Sequence, residues 1–269
     1  MRLRVDHQTH YEYETPVHYA IQRVYLTPRD EPGQRVLQWE TRSDHPITHQ
    51  RDAYGNWVSM VVVSRPCSAV SICVSGEVDC DTSRAAGPWS EARGVPEPPL
   101  ELYLRPTGLT RSTAAMTDFA RRTVERGDYA QLLQLAEQIE SQLVYSPGTT
   151  GVFTSAEDAW QAGAGVCQDH AHVMIACCRA LGVPARYVSG YLSGEARASE
   201  ATHAWVDVFV DDRWRGIDVT HACEPTDRWL RLAVGPDYDA VSPVRGMRQG
   251  GGRESMRIAV SVGGYTRGL

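Results

Sequence analysis

A cysteine placed where a helix must begin is the residue of this chain best suited to covalent chemistry. Gly165-Val166-Cys167-Gln168-Asp169 leads into a run in which Ala171, Met174, Ile175 and Cys178 share one helical face, and Gly182 and Pro184 supply the stop. Gly165 permits a tight turn into that helix, so Cys167 falls at or near its first position. Unpaired backbone N–H groups and the positive end of the helix dipole favour a thiolate there. The same N–H groups can hold an oxyanion during acyl transfer. The competing reading makes Cys167 a small buried residue, like Cys177 and Cys178 further along.

A thiolate nucleophile needs a base, and the base needs a group to orient it. Thr202-His203-Ala204-Trp205 opens a predicted strand over 202–210, and Asp218 lies on a returning strand over 214–219. If Asp211-Asp212 is a two-residue loop, Val210 pairs with Arg213 and Trp205 falls opposite Asp218. His203 and Asp218 are then diagonal neighbours on one face, about 7–8 Å apart at the backbone, a gap their side chains can close. A loop of odd length would put them on opposite faces. The spacing permits a His–Asp pair without requiring one. Alone, His203 also reads as a structural strand residue and Asp218 as a solvated strand end.

Other polar residues are weaker candidates. Gln168 and Asp169 read as supports of the helix start. His170 and His172 are two apart on a helix and diverge, whereas helical metal ligands favour i, i+4 spacing. A zinc site from His170, His172, His221 and Cys223 is therefore not expected, and no metal is assigned. The Gly250-Gly251-Gly252 run lacks the Lys-Ser/Thr of a phosphate cradle and reads as a turn.

The elements that must position these residues fall into two parts. Strands are predicted over 2–13, 21–27, 35–42, 57–64 and 69–79, separated by turn chemistry at Pro28 to Gly33, Asp44 to Pro46 and Tyr54-Gly55-Asn56. Residues 81–111 are richer in Pro, Gly and Ser and read as a linker or extended wrap. Helical periodicity then appears at Met116, Phe119, Ala120 and Val124, and again at Leu132, Leu135, Ile139 and Leu143. Ser155 with Asp158 forms a capping-box pattern ahead of a short helix over 156–162. Beyond the cysteine helix, strands are predicted over 185–193, 202–210, 214–219 and 256–262.

With 27 basic and 33 acidic residues, the net charge of −6 gives no electrostatic footprint for nucleic acid. No apolar stretch approaches the length of a membrane helix, and the opening MRLRVDHQTHYEYE lacks the apolar segment of a signal peptide. The seven cysteines are odd in number and follow no export signal, so reduced thiols in the cytoplasm are expected. Oligomeric state is not legible.

The motifs GVCQDHAHVMIACCRALGVPARYVSGYL, HAWVDVFV, WRGID and VGPDYDAVSPVRG, in that order, resemble the bacterial transglutaminase-like superfamily. The opening RLRVDHQTHYEYETPV resembles the β domain that precedes this core in many members. The resemblance implies an α+β protein: an N-terminal antiparallel β domain with linker over 1–105, then a papain-like core over 106–269. It further implies a catalytic Cys167–His203–Asp218 triad, no cofactor, and a peptide or protein substrate attacked at an amide through a thioester. Tyr145 matches a region where relatives carry an aromatic, so its hydroxyl joins Gln168 and Trp205 as a substrate or oxyanion contact, with core packing an equal reading. Relatives usually read Asp-Pro-Thr-Asn where this chain has Asp218-Val219-Thr220-His221; the extra imidazole of His221 reads as a bystander ahead of a substrate contact or a modifier of Asp218. Trp160, Trp205 and Trp214 could wall an amine pocket, but strand and helix aromatics are more often core, and nothing in 165–223 identifies such a pocket. Hydrolysis is therefore expected over glutamine–amine crosslinking or a silent binding module.

Overall fold

The computed structural model describes residues 1–84, 98–194 and 202–265. Its spine is β1 (Arg2–Val24), in which buried Leu3, Val5, His7, Thr9, Tyr11 and Tyr13 alternate with more exposed neighbours. That period of two places one face on a core. The strand continues through the gap expected between 13 and 21. Register shifts between Glu12 and Val17 bend the chain around Pro16 without ending it. Around β1 lie β2 (Gln34–Ser43), β3 (Ile47–Arg51), β4 (Trp57–Val63) and β5 (Cys67–Cys80), all antiparallel to their partners, in the order β2-β5-β1-β4-β3.

Helices and a second sheet follow. A 3-10 helix at Leu100–Leu104 buries Tyr103, whose ring meets Trp214 edge-on at 5.1 Å. The rest of the expected linker, 85–97, lies outside the described residues. Next come α1 (Ala114–Thr123), α2 (Tyr129–Gln142), β6 (Val144–Tyr145), α3 (Ala156–Ala162), β7 (Ala164–Gly165) and α4 (Cys167–Ala180). The Ser155–Asp158 capping box forms as expected. α4 is central, with His170 through Arg179 all buried. It packs on an antiparallel sheet of β8 (Ala185–Leu192), β9 (His203–Val210), β10 (Arg213–Ile217) and β11 (Trp229–Gly235), in the order β10-β9-β8-β11. Ala204, Val206 and Val208 supply the apolar face beneath the helices.

β11 carries no strand assignment in the sequence reading, although Pro225-Thr226-Asp227 before it and Gly235-Pro236 at its end supply turn chemistry on both sides. It is an edge strand, and an unpaired edge invites unwanted pairing. Two amide side chains from the first sheet cover it. Gln34 donates to the Arg231 carbonyl at 2.9 Å and accepts from its N–H at 2.8 Å. Asn56 does the same for Val234, at 2.8 and 2.9 Å. The two sheets are thereby joined by hydrogen bonds that imitate a strand ladder.

After α5 (Tyr238–Val241), the chain returns to the first sheet. β12 (Val244–Gly250) and β13 (Glu254–Tyr265) both pair antiparallel with β1. The intervening Gly250, Gly251 and Gly252 all have positive φ, so the run is the turn it was read as. The division at residue 105 thus does not separate two continuous blocks: 244–265, assigned by sequence to the core, completes the N-terminal sheet, because β1 is long enough to need partners along its whole free edge. Among the described residues, no helix is long and apolar enough to cross a membrane.

Candidate active site

Cys167 is the first residue of α4, with Val166 as N-cap. The Asp169 carboxylate reaches back to accept from the Val166 N–H at 2.8 Å and from Thr150 Oγ1 at 2.6 Å. Gly165 has a concrete reason to be glycine: a Cβ there would sit 2.6 Å from Asp169 Cβ. Gln168 donates to the Gly151 carbonyl at 3.4 Å, fastening the preceding loop to the helix start. β6 and β7 pair Tyr145 with Gly165, which brings Tyr145 beside the same turn, its ring edge-on to His170 at 6.1 Å.

The β9–β10 hairpin has the anticipated register. Val210 pairs with Arg213 across Asp211-Asp212, both with positive φ, as a two-residue hairpin turn requires. His203 and Asp218 therefore share a face, and His203 Nε2 donates to Asp218 Oδ2 at 2.6 Å. Cys167 acts on the same imidazole, and with Nε2 committed to Asp218, Nδ1 is the nitrogen left for the thiol. Burial pushes the His203 imidazole down, yet Asp218 and Cys167 together outweigh it and hold the group up at about 10. Burial likewise pushes the Asp218 carboxyl up, but the bonds from His203 and His221 hold it well below the ordinary carboxylate range.

His221 is not a bystander. Its Nδ1 donates to Asp218 Oδ2 at 2.8 Å, its ring lies 5.3 Å from that of His203, and its backbone N–H reaches Asp218 Oδ1 at 3.3 Å. Trp229 is a third donor, its indole Nε1 lying 2.8 Å from Asp218 Oδ2. Sequence reading missed Trp229 because it missed β11; the HAW, WRGID and Trp229 spacing carried no independent signal for it.

Trp205 departs from its expected role as a substrate contact. It is 1% exposed and stacks against His203 with ring centroids 6.1 Å apart, because residues two apart on a strand share a face. It buttresses the imidazole and has almost no surface to offer a ligand. Trp205 and Trp229 also border a cleft of about 440 Å³ between the two sheets, with Gln34, Arg213, Trp214 and Arg231, but Cys167 does not line it.

The weighed zinc set does not assemble. His170 Nε2 donates to the Leu143 carbonyl at 3.1 Å and its Nδ1 faces Thr220 Oγ1 at 3.1 Å. His172 is fully buried and accepts from the Tyr238 N–H at 3.2 Å, and burial pushes it down to about 4. Among the described residues, the metal-ligating types that converge are His203, Asp218 and His221 themselves. They are already joined by hydrogen bonds.

Known proteins match this chain over nearly its whole length. The family described as the transglutaminase-like superfamily matches residues 117–219, and the bacterial transglutaminase-like N-terminal region matches residues 3–79. An uncharacterized protein of Mycobacterium leprae (strain TN) is 29% identical over 274 residues, covering 97% of this chain and 98% of that protein. Another, from Mycobacterium tuberculosis (strain ATCC 25618 / H37Rv), is 32% identical over 277 residues, covering 91% of this chain and 87% of its own length. A crystal structure from Cytophaga hutchinsonii named "Putative Cysteine Protease" superposes with a TM-score of 0.79 at 20% identity, covering 100% of this chain and 92% of that one. At that identity the likeness is one of fold.

Proposed function

The chain belongs to the transglutaminase-like superfamily, and from that premise we propose that it hydrolyses amide bonds of peptides or proteins through a Cys167 thioester. The observation that carries this reading is the 2.6 Å bond from His203 Nε2 to buried Asp218, with Cys167, at the start of α4, acting on the same imidazole. Nucleophile, base and orienter are thus in one line of contacts.

His203, cationic over the neutral range, already holds the proton given up by Cys167, whose sulfur attacks the carbonyl carbon. Asp218 fixes the imidazole tautomer and stabilises its cationic form. The oxyanion is held by backbone N–H groups at the start of α4, with Tyr145 and Gln168 near the same turn. Collapse passes the proton from His203 to the leaving amine and leaves a thioester. Water then gives a proton to His203, attacks the thioester carbonyl and releases the acid, and Cys167 leaves as the thiolate beside the imidazolium. Cys167, His203 and water supply every atom that moves, so no cofactor is assigned.

Water is favoured over an amine because the tryptophans that could wall an amine pocket are engaged elsewhere. Trp160 packs edge-on to Phe119 at 4.9 Å, Trp214 packs on Tyr103, and Trp205 lies behind His203. All seven cysteines are free thiols, which supports the cytoplasmic setting. The test is a glutamine-containing peptide library incubated with wild type and with Cys167→Ala, with and without a primary amine, and read by mass spectrometry. Cleavage or deamidation indifferent to the amine is the expected result. Saturable amine incorporation would establish a transglutaminase, and no change in any peptide would favour a silent binding module.

A further inference from the structure

We propose that His221 is a positioning residue, which grips both carboxylate oxygens of Asp218 and so sets the direction in which His203 faces Cys167. The inference rests on the triad reading above and adds a residue to it.

The grip is a matter of geometry. The ring Nδ1–H donates to Oδ2 at 2.8 Å while the backbone N–H of the same residue approaches Oδ1 at 3.3 Å. One residue engaging both oxygens resists rotation of the carboxylate about its last bond, a broad and weakly restrained torsion in an unsupported Asp. Oδ2 is also the oxygen that accepts the hydrogen bond from His203 Nε2–H, so the carboxylate plane fixes the line of that bond and with it the aim of Nδ1. Trp229 supports Oδ2 from β11 but does not reach Oδ1.

His221 is itself held. The turn that carries it is closed by a backbone bridge, Asp218 N–H to the Cys223 carbonyl at 2.8 Å and Cys223 N–H to the Asp218 carbonyl at 3.0 Å. Ala222 takes a positive φ of 48° to complete it. Val219 is buried, and Thr220 is tied to His170 on α4 at 3.1 Å. The turn is thus fastened to the nucleophile helix on one side and bridges back onto the orienter on the other. The ring remains 34% exposed, so removing it does not hollow the core.

A carboxamide at this position could donate the same bond through its N–H₂ group without titrating, whereas an aliphatic side chain could not. The variants are therefore His221→Asn, His221→Leu and, should the leucine variant fold poorly, His221→Ala. Each full-length protein is treated with iodoacetamide, and labelling of Cys167 is followed by peptide mass spectrometry against the remaining thiols as internal references. The low-field Nε2–H resonance of His203 is recorded in parallel on histidine-labelled protein. Loss of the ring bond in Leu or Ala is expected to slow Cys167 labelling about tenfold and to shift or broaden the His203 resonance, with Asn within about threefold of wild type. Wild-type labelling and an unshifted resonance in the Leu or Ala variant would overturn the proposal. So would an Asn variant that folds but behaves like Leu. If wild-type Cys167 labels no faster than the other thiols, the triad reading fails on its own, and the His203 resonance still decides whether His221 sets the Asp218–His203 geometry.

Discussion

Two carboxylates on one sheet face are buried to the same degree and kept in opposite company. Asp207 lies on β9 opposite Gly216, and Asp218 lies just past the end of β10; both are 0% exposed. Asp207 accepts from Arg186 Nε at 3.0 Å and from Arg231 Nη2 at 2.9 Å. Arg231 passes on to Glu31 of the first sheet's loop at 3.0 Å. Asp218 is surrounded by two imidazoles and an indole. A guanidinium does not give up its proton in any ordinary range of pH, so the Asp207 centre has a single charge state and can only hold parts together. An imidazole can exchange its proton, so the Asp218 centre can do chemistry. Burial makes a carboxylate consequential; the acidity of its partner decides whether the consequence is structural or catalytic.

The largest expected effects fall on the Asp218 side. Cys167→Ala and His203→Ala should each lower peptide turnover by about a thousandfold or more, since members of one catalytic unit fail together. Asp218→Asn should cost less, because that group orients and stabilises and does not react. Turnover of the best library peptide, with circular dichroism to establish folding, measures all three. Near-normal turnover in folded Cys167→Ala would move the nucleophile elsewhere.

The Asp207 side should respond in the other currency. Asp207→Asn leaves two buried guanidiniums facing a neutral amide, and breaking a buried ion pair costs about 3–5 kcal/mol. Urea unfolding should show that loss, while iodoacetamide labelling of Cys167 per folded molecule stays close to wild type. A variant of undiminished stability, or one whose Cys167 labelling collapses with its fold intact, would erase the distinction between the two centres.

How much of this was readable beforehand follows the same division. The site was legible where chemistry and local geometry coincide: the Gly165–Cys167 helix start, and the hairpin whose Asp211-Asp212 loop sets the parity of His203 and Asp218. What escaped depends on contacts between distant segments. Trp229 reaches Asp218 only because β11 pairs with β8. Trp205 reads as a pocket wall until the first sheet buries its face. His221 reads as incidental until the Asp218–Cys223 bridge folds it back. Residues 244–265, with only 256–262 read as a strand, look like part of the core in sequence and join the first sheet because β1 offers them an edge.

The pH dependence of stability separates the centres without mutating either. His203 is held up at about 10, above the ordinary imidazole value of about 6.5, so its stabilising contribution is complete below that value and disappears as pH rises through about 10. For Asp207, burial pushes the carboxyl up but the charges of Arg231 and Arg186 hold it low. Asp218 is also held low. Their contributions are present above the ordinary carboxylate value of about 3.9 and are lost as pH falls through their lower folded values. Thermal melts across pH should therefore show a plateau with two shoulders. In His203→Ala the alkaline shoulder should shrink while the acid shoulder, carried by Asp207, persists. An alkaline shoulder of unchanged size would mean that the proton in question does not reside on His203.

The smallest expected effect tests where the structural centre ends. Arg231 belongs to β11, and that strand's outer edge is held by Gln34 at Arg231 and by Asn56 at Val234. Asn56 is fully buried and is itself fixed by Asp52 Oδ2 at 2.9 Å. Asn56→Ala removes the side chain that satisfies both backbone groups of Val234, and stranding such groups costs about 1–3 kcal/mol. The alanine is small enough to admit water to the vacated edge, so the lower end of that range is expected. Hydrogen exchange at the Val234 amide should accelerate. Exchange at the Arg231 amide, still capped by Gln34, should not. Cys167 labelling should be unaffected, because Trp229 stands at the far end of β11 and keeps its own pairing with Leu192. If instead the Arg231 and Trp229 amides open together with Val234, β11 moves as one piece. The amide clamp of the first sheet would then be part of what holds Trp229 on Asp218, and the boundary between the static and the reactive carboxylate would run through a strand they share.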